Sequence, residues 1–175
     1  MVTTNAIKAL REQTGAGIMD CKKALEQVDG DVERAQEILR EQGIASAAKK
    51  ASRDTEEGIV ESYIHGGGRV GALVELNCET DFVARTDDFK ELAHEIAMQV
   101  AAMSPKYVSE DDVPKEENVS EDEILISQSF IRDPALTIND LIKEAIGKLG
   151  ENIQIRRIAR FSLGCLLYTS PSPRD

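Results

Sequence analysis

Residues 59–77 read IVESYIHGGGRVGALVELN, two β-rich runs that flank a glycine-rich turn. Each run is long enough for a strand, and glycine supplies the backbone freedom that a tight reversal of the chain needs. The segment therefore predicts a β-hairpin. A third β-rich run follows at 153–161, after a stretch with helical periodicity. The predicted fold class is α+β, with a small antiparallel sheet covered by helices.

Two helices of this core are indicated by capping residues and apolar stripes. Asp88 with Glu91 resembles a capping box, and the apolar stripe at 89–100 follows it. Thr137 is a candidate N-cap for a second helix, whose end is marked by Gly150. We therefore expect one helix after the hairpin and one directly before the third strand.

Three short helical patterns precede the hairpin, and each is closed by glycine. The closing glycines lie in the turns at 14–17 and 29–30 and at Gly43, where a left-handed residue is expected after the helix. Ile18 should lie on the buried face of the second helix, because apolar residues recur there every three or four positions. The three helices predict a compact bundle similar to a ubiquitin-associated (UBA) domain.

The linker and the tail divide the chain into predicted units. Residues 45–52, ASAAKKAS, have small side chains and no bulky anchor, which is typical of a linker, either helical or flexible. We therefore predict a UBA-like three-helix domain with its linker at 1–52 and an α+β dimerisation or core domain at 53–164. The tail at 165–175, CLLYTSPSPRD, contains two Ser-Pro steps that disfavour regular structure. We interpret this tail as non-native.

The net charge of the 175-residue chain is −11, and much of it lies in one segment. Residues 109–123 hold eight acidic side chains against one lysine, which is typical of a solvated segment. We expect no direct binding of nucleic acid, because phosphate binding needs clustered lysine and arginine. We also expect no membrane contact, because no run approaches the ~18 apolar residues of a membrane span.

The three cysteines, Cys21, Cys78 and Cys165, are far apart and form no CxxC pair. Their spacing indicates neither a disulfide framework nor a zinc site. It favours a reducing, cytoplasmic setting.

The sequence carries no enzyme signature. Glycines 66–68 join two strands, whereas a phosphate-binding loop opens a helix, so a hairpin turn is the better interpretation. His94 and Glu95 begin an HExxH motif, but Met98 stands in place of its second histidine. Cys78 has no neighbouring histidine in the sequence, which is typical of a buried structural thiol. We expect no catalytic residue, no bound metal and no cofactor.

Phe82 is unusual because it falls in a short polar segment between the second strand and the next helix. Two interpretations stay open from the residues alone. The ring could pack back into its own core, or it could protrude into a pocket of a partner, with Asp81 beside it for a polar contact.

Three segments of the chain are similar to the elongation factor Ts family. Residues 14–25, TGAGIMDCKKAL, resemble its N-terminal signature, and residues 77–85, NCETDFVAR, resemble its second signature. Residues 146–153, IGKLGENI, are similar to the C-terminal part of its core. The resemblance spans roughly residues 3–164 and leaves the tail outside.

The resemblance implies a guanine-nucleotide exchange factor for elongation factor Tu, and not an enzyme. In the family, a Thr-Asp-Phe-Val segment enters the GTPase domain of elongation factor Tu and disturbs its magnesium and phosphate site, which weakens GDP binding. That segment is here Thr80, Asp81, Phe82 and Val83. The first domain is expected to dock on the same partner, in its GDP-bound and nucleotide-free states. The residues expected to dock are Gly15, Ala16, Gly17, Met19, Asp20, Lys22 and Lys23.

The chain departs from the family pattern in the length of its core. Family members usually carry a longer, helix-containing insertion, where this chain passes directly from Glu117 to Ile124. It also has a single core unit, which short members of the family complete by self-association. The resemblance therefore implies a homodimer.

Two other hypotheses fit parts of the sequence. A UBA-like first domain acting alone would make the chain an adaptor for a peptide or a ubiquitin-like partner, although the segment at 77–85 argues against this function. Asp87, Asp88 and His94 could instead serve a metal-dependent hydrolase, which a metal analysis of the purified protein would test.

Overall fold

The architecture is given by a computed structural model that describes residues 2–164, so the interpretation of the tail at 165–175 lies outside the described residues. Three helices come first, and a hairpin, three further helices and a last strand follow. The elements are α1 (Thr4–Thr14), α2 (Ile18–Gln27), α3 (Val32–Lys50), β1 (Glu57–His65), β2 (Val70–Cys78), α4 (Asp81–Ala84), α5 (Asp87–Met103), α6 (Ile138–Leu149) and β3 (Ile153–Ser162), with single 3-10 turns at Glu110–Asp112, Glu121–Glu123 and Leu125–Ser127. None of the helices among residues 2–164 combines the length and the apolarity that crossing a bilayer requires.

The three strands form one antiparallel sheet in the order β1-β2-β3, with β2 in the middle. Tyr63 of β1 faces Ala72 of β2, and a bulge between Glu75 and Leu76 shifts the register between β2 and β3. Alternate side chains of β2 are buried on the face that α5 covers. This arrangement confirms the predicted α+β class and the small antiparallel sheet covered by helices.

The cap of α5 differs from the predicted one. Thr86 is the N-cap, and its hydroxyl accepts a hydrogen bond from the Phe89 amide at 3.3 Å. The predicted capping box of Asp88 and Glu91 is wrong, because the N-cap lies two residues earlier, at Thr86, and Asp88 lies inside the first turn of the helix.

The cap of α6 agrees with the prediction. Thr137 is the N-cap and forms a reciprocal capping box with Asp140, which satisfies amides at the start of the helix. Gly150 ends the helix in the left-handed conformation, with a φ of 81°. Both predicted limits of this helix are therefore confirmed.

The first three helices pack around a small core of their own. Its fully buried side chains are Leu10, Cys21, Ala24, Leu25 and Ala35. Ile18 is exposed, so its predicted burial is wrong. The reason is that α2 begins at Ile18, whereas its buried face begins at Cys21, almost one turn later.

The third helix continues past Gly43 to Lys50, so the predicted helix end at Gly43 is wrong. Gly43 instead lies where α3 crosses α6, and a methyl group added at Gly147 would come within 2.8 Å of its Cα. Ala47, one turn further along, is buried in the cluster under the sheet. Because α3 contributes to both hydrophobic clusters, the domain boundary near Ser52 stays a prediction.

The glycine pair at this crossing predicts opposite effects of two alanine substitutions. Gly147→Ala should lower the free energy of unfolding by about 1–3 kcal/mol, because its methyl group meets backbone and the helices must move apart. Gly43→Ala should be neutral or stabilise by up to about 1 kcal/mol, because alanine favours the helix and its methyl group finds ordinary contact distance. Denaturant unfolding followed by circular dichroism measures both, and equal destabilisation by the two changes would contradict this account.

Candidate functional site

Phe82 lies on α4, a single helical turn that follows β2 after two residues. Its side chain is 79% exposed, so the ring does not pack into the core. Of the two interpretations that the sequence left open, the structure therefore retains the protruding ring. Phe89, seven residues later on α5, is instead fully buried in the core.

The neighbours of Phe82 turn its ring outward. Val83 packs against the core, and Ala84 is buried. Because successive residues of a helix are about 100° apart, these two contacts place Phe82 on the outer side of the turn. Asp81 forms an exposed ion pair with Arg85 at 2.8 Å. Exposed pairs contribute little to stability, so Asp81 can exchange this partner for another at low cost.

Thr80, the N-cap residue of α4, has a partner for each of its polar groups. Its amide donates to Glu151 Oε2 at 2.9 Å, and its hydroxyl donates to Glu151 Oε1 at 2.6 Å. Its carbonyl accepts from the Ala84 amide at 3.3 Å and from the Cys78 thiol at 3.1 Å. Sequence reasoning missed Glu151, because it lies 71 positions from Thr80 and only the fold brings the two together.

Cys78 is fully buried beside this network. Burial raises the pKa of the Cys78 thiol to about 11, and the negative charge of Glu151 acts in the same direction. The thiol therefore stays protonated at neutral pH and can donate to the Thr80 carbonyl. A nucleophile would need the thiolate, so these surroundings favour a structural role.

The candidate docking residues of the first domain surround the turn between α1 and α2. Gly15 ends α1 with a φ of 67°, and Gly17 is the extended N-cap of α2. Ile18 and Met19 follow and are 54% and 60% exposed. Of the other predicted residues, Ala16 is half-buried against the bundle core, and three are exposed: Asp20, Lys22 and Lys23. Ile18 was missed by sequence reasoning, because its spacing pointed to the core.

One lysine connects the two candidate segments. Lys148 of α6 lies against Gly15, so closely that a Cβ added there would meet its side chain at 2.5 Å. Its ammonium group donates to Asp88 at 2.7 Å, in the first turn of α5. Because α5 follows α4 closely in the chain, Lys148 joins the turn at 14–17 to the region that carries Phe82.

The residues considered for a metal-dependent hydrolase are not brought together. Asp88 bonds to Lys148, whereas His94 Nδ1 lies 3.3 Å from Glu61 and its ring packs edge-on against Tyr63. Within residues 2–164, no group of three or more His, Cys, Asp or Glu side chains is arranged to hold a metal ion.

The outer face of the sheet is apolar and exposed at one end. Its exposed large side chains are Val60, Ile64, Leu73 and Phe161. Leu163, the residue just after β3, is exposed as well. Ile64 and Phe161 flank Gly71 from the two neighbouring strands, so their side chains share one surface. Contiguous apolar surface of this kind marks interaction sites in soluble proteins. We call this surface the outer sheet face.

Comparison with known proteins finds one family over most of the chain. The family model described as Elongation factor TS matches residues 3–133. The protein described as Elongation factor Ts from Carboxydothermus hydrogenoformans is 51% identical over 195 residues, which cover 94% of this chain and 90% of the relative. The corresponding protein from Caldanaerobacter subterraneus subsp. tengcongensis is 50% identical, with 94% of this chain and 98% of the relative covered.

The alignment with the protein described as Elongation factor Ts from Heliobacterium modesticaldum also extends over 195 residues, at 50% identity, with 94% of this chain and 91% of the relative covered. Because these alignments are longer than the 175 residues of the chain, the relatives contain residues that this chain lacks. The position of that difference, between Glu117 and Ile124, stays a prediction.

Proposed function

Because the chain belongs to the elongation factor Ts family, we propose that it is the guanine-nucleotide exchange factor of elongation factor Tu. Family membership makes it a translation elongation factor, as the signatures at 14–25 and 77–85 predicted. The observation that carries the proposed exchange activity is the exposed ring of Phe82 at the end of the central strand.

In the proposed mechanism, the segment from Thr80 to Val83 enters the GTPase domain of elongation factor Tu beside its magnesium and phosphate site. Phe82 supplies the apolar contact, and moving its ring from water into a pocket is worth about 1.5–3 kcal/mol. Asp81 supplies a polar contact after leaving its exposed pair with Arg85. Binding that displaces the groups around GDP lowers the affinity of elongation factor Tu for GDP. Thermodynamic linkage requires that bound GDP lower the affinity for this chain by the same factor.

The turn between α1 and α2 is the proposed docking surface of the first domain. Ile18 and Met19 form its apolar centre, and charged side chains lie beside them at Asp20, Lys22 and Lys23. An apolar centre with a charged rim is the usual anatomy of a protein interface. This surface is expected to bind both the GDP-bound and the nucleotide-free partner, because none of its residues belongs to the segment proposed to disturb the nucleotide.

The proposed function involves no chemical step on the chain itself. Exchange uses binding free energy alone, so it requires no catalytic residue, metal or cofactor of this chain. We expect the protein to act in the cytoplasm, where translation elongation takes place. The net charge of −11 supports a protein partner and not direct binding of nucleic acid.

We propose in addition that a second copy of the chain covers the outer sheet face. Two such faces related by a twofold axis would bury the same apolar side chains from both sheets, as in a β-sandwich. Only one sheet and one core cluster are found in residues 53–164, so this described part of the chain offers no second layer for the face.

Substitution of Phe82 tests the exchange function. Phe82→Ala should change the free energy of unfolding little, because the ring is exposed, and should slow GDP release about ten- to hundredfold through the lost apolar contact. Asp81→Ala should also slow release, and the double variant should be less than additive because the residues are neighbours. Stopped-flow release of a fluorescent GDP analogue from elongation factor Tu, with a melting curve for each variant, measures both quantities. The control is Met103→Ala, because Met103 is another exposed apolar side chain. An unchanged release rate with folded Phe82→Ala would refute the mechanism.

Substitution of Ile18 and Met19 tests the docking surface. The double alanine variant should weaken the complex about tenfold or more, because it removes exposed apolar area that a partner would cover. The release rate at saturating factor should stay near that of the unsubstituted protein, since the segment that disturbs the nucleotide is intact. A titration of the release rate against factor concentration separates the two parameters. Loss of the saturating rate with unchanged affinity would contradict a docking role.

Polar substitution of the outer sheet face tests the homodimer. Ile64→Ser combined with Phe161→Ser should convert the dimer to a monomer, because both apolar side chains lie at the centre of the proposed contact. Sedimentation velocity across a dilution series measures the oligomeric state, with Met103→Ser as the control. A monomeric unsubstituted protein at all concentrations would refute the proposal.

A further inference from the structure

We propose that Glu151 is a positioning residue for the exchange segment, because its carboxylate holds Thr80 and so sets the direction in which Phe82 projects. This inference rests on the proposed function of Phe82. It concerns a residue outside the Thr-Asp-Phe-Val segment, at the junction between α6 and β3.

Glu151 lies where the ladder between β2 and β3 ends. The last pair of that ladder is Cys78 with Ile153. If the strands continued, Glu79 would face Asn152 and Thr80 would face Glu151. Carboxylates take over the contact instead: Glu79 accepts from the Asn152 amide at 2.7 Å, and Glu151 accepts from the Thr80 amide at 2.9 Å.

These two contacts are reciprocal, since each segment offers one amide and one carboxylate to the other. Bonds to an ionised acceptor are stronger than bonds between neutral groups, so they can hold two diverging segments that backbone carbonyls no longer join. The pKa of the Glu79 carboxyl is lowered, first by the bond from the Asn152 amide, which agrees with an ionised acceptor at this end of the sheet. The second contact has a further bond, from the Thr80 hydroxyl to Glu151 at 2.6 Å.

The turn that carries Phe82 needs such support, because α4 has four residues and an isolated helix of this length is not stable. Thr80 does not cap it with its side chain, since its hydroxyl donates to Glu151 instead. Phe82 is 79% exposed and gains little orientation from packing. Its direction is therefore set by the backbone that begins at Thr80.

The same junction has separate anchors that preserve the fold without this contact. The Asn152 side chain, which is buried, donates to the Arg53 carbonyl at 2.8 Å. The backbone amide of Asn152 donates to Glu79, as described above. The start of β3 is thus fixed by Asn152, and the bonds of Glu151 are directed to Thr80. Loss of those bonds should change the exchange segment more than the stability of the sheet.

The experiment measures GDP release from elongation factor Tu at saturating factor, together with thermal unfolding. Glu151→Gln keeps the size of the side chain and can still accept from the Thr80 backbone amide and donate to the Thr80 hydroxyl, but it removes the negative charge of the acceptor. Release should become about tenfold slower, as expected when bonds to a charged acceptor are replaced by weaker bonds between neutral groups. Thr80→Val, which removes the hydroxyl donor, should also slow release, whereas Thr80→Ser keeps both donors and should slow release less than Thr80→Val does.

The matched control is Glu123→Gln, because the Glu123 carboxylate likewise accepts from a backbone amide and a hydroxyl, both of Ser120. With this variant, elongation factor Tu should release GDP at the rate measured with the unsubstituted factor. The decisive variant combines Glu151→Gln with Phe82→Ala. If Glu151 acts by positioning the ring, the Glu151 substitution should have little further effect once the ring is absent. A purely structural role would slow release equally in both backgrounds.

The outcomes separate this inference from the proposed function. The positioning role alone is overturned if GDP release is slow with Phe82→Ala but normal with folded Glu151→Gln and Thr80→Val. Equal effects of Glu151→Gln with and without Phe82 overturn it as well. Normal release by Phe82→Ala overturns the proposed function and this inference with it. If Glu151→Gln fails to fold, the comparison of Thr80→Val with Thr80→Ser decides, because both variants leave the carboxylate in place.

Discussion

The pairing of β2 on both of its edges is the constraint on which the other elements depend. Side chains alternate along a strand, so Ala72, Val74, Leu76 and Cys78 are all buried on the face that α5 covers. The hydrogen-bond ladders of β2 align β1 and β3 on its two edges, and α6 leads directly into β3. The end of β2 therefore determines where α4 begins and where Phe82 projects from the surface.

The side chains proposed to bind partners are separate from those that stabilise the fold. Phe82, Ile18 and Met19 are exposed, whereas the core residue Phe89 and the bundle residue Leu25 are fully buried. Exposed apolar side chains contribute little to the free energy of folding, and they contribute to the free energy of binding once a partner covers them. The same separation means that changes at the binding surfaces can alter affinity or exchange without unfolding the protein.

Long-range contacts from one junction connect the two segments proposed to bind the partner. Lys148 lies against Gly15 and bonds to Asp88, while Glu151 holds Thr80. All of these contacts come from the short segment between the last turn of α6 and the start of β3. Exposed charge pairs such as that of Lys148 contribute little to stability, so their value here lies in orientation. The junction thus joins the first domain to the proposed exchange segment.

Local patterns were sufficient for the parts of the structure that depend on near neighbours in the chain. The hairpin, the α6 cap at Thr137 and its end at Gly150 were all predicted correctly, because turn residues, caps and apolar periodicity act over a few positions. The cap of α5 was assigned to Asp88 instead of Thr86, because both residues are suitable caps and only the path of the chain after α4 selects one.

The sequence by itself determined the α+β class, the family and the segment that contains Phe82, because each depends on residues adjacent in the chain. Only the tertiary structure decided that α3 continues through Gly43, that Ile18 is exposed, and that Glu151 bonds to Thr80. These facts depend on which surfaces meet: Gly43 is a helix end or a crossing point according to whether α6 packs on it. Thr80 and Glu151, 71 positions apart in the chain, meet where the register of the sheet brings the end of β2 beside the start of β3, which local propensity does not encode.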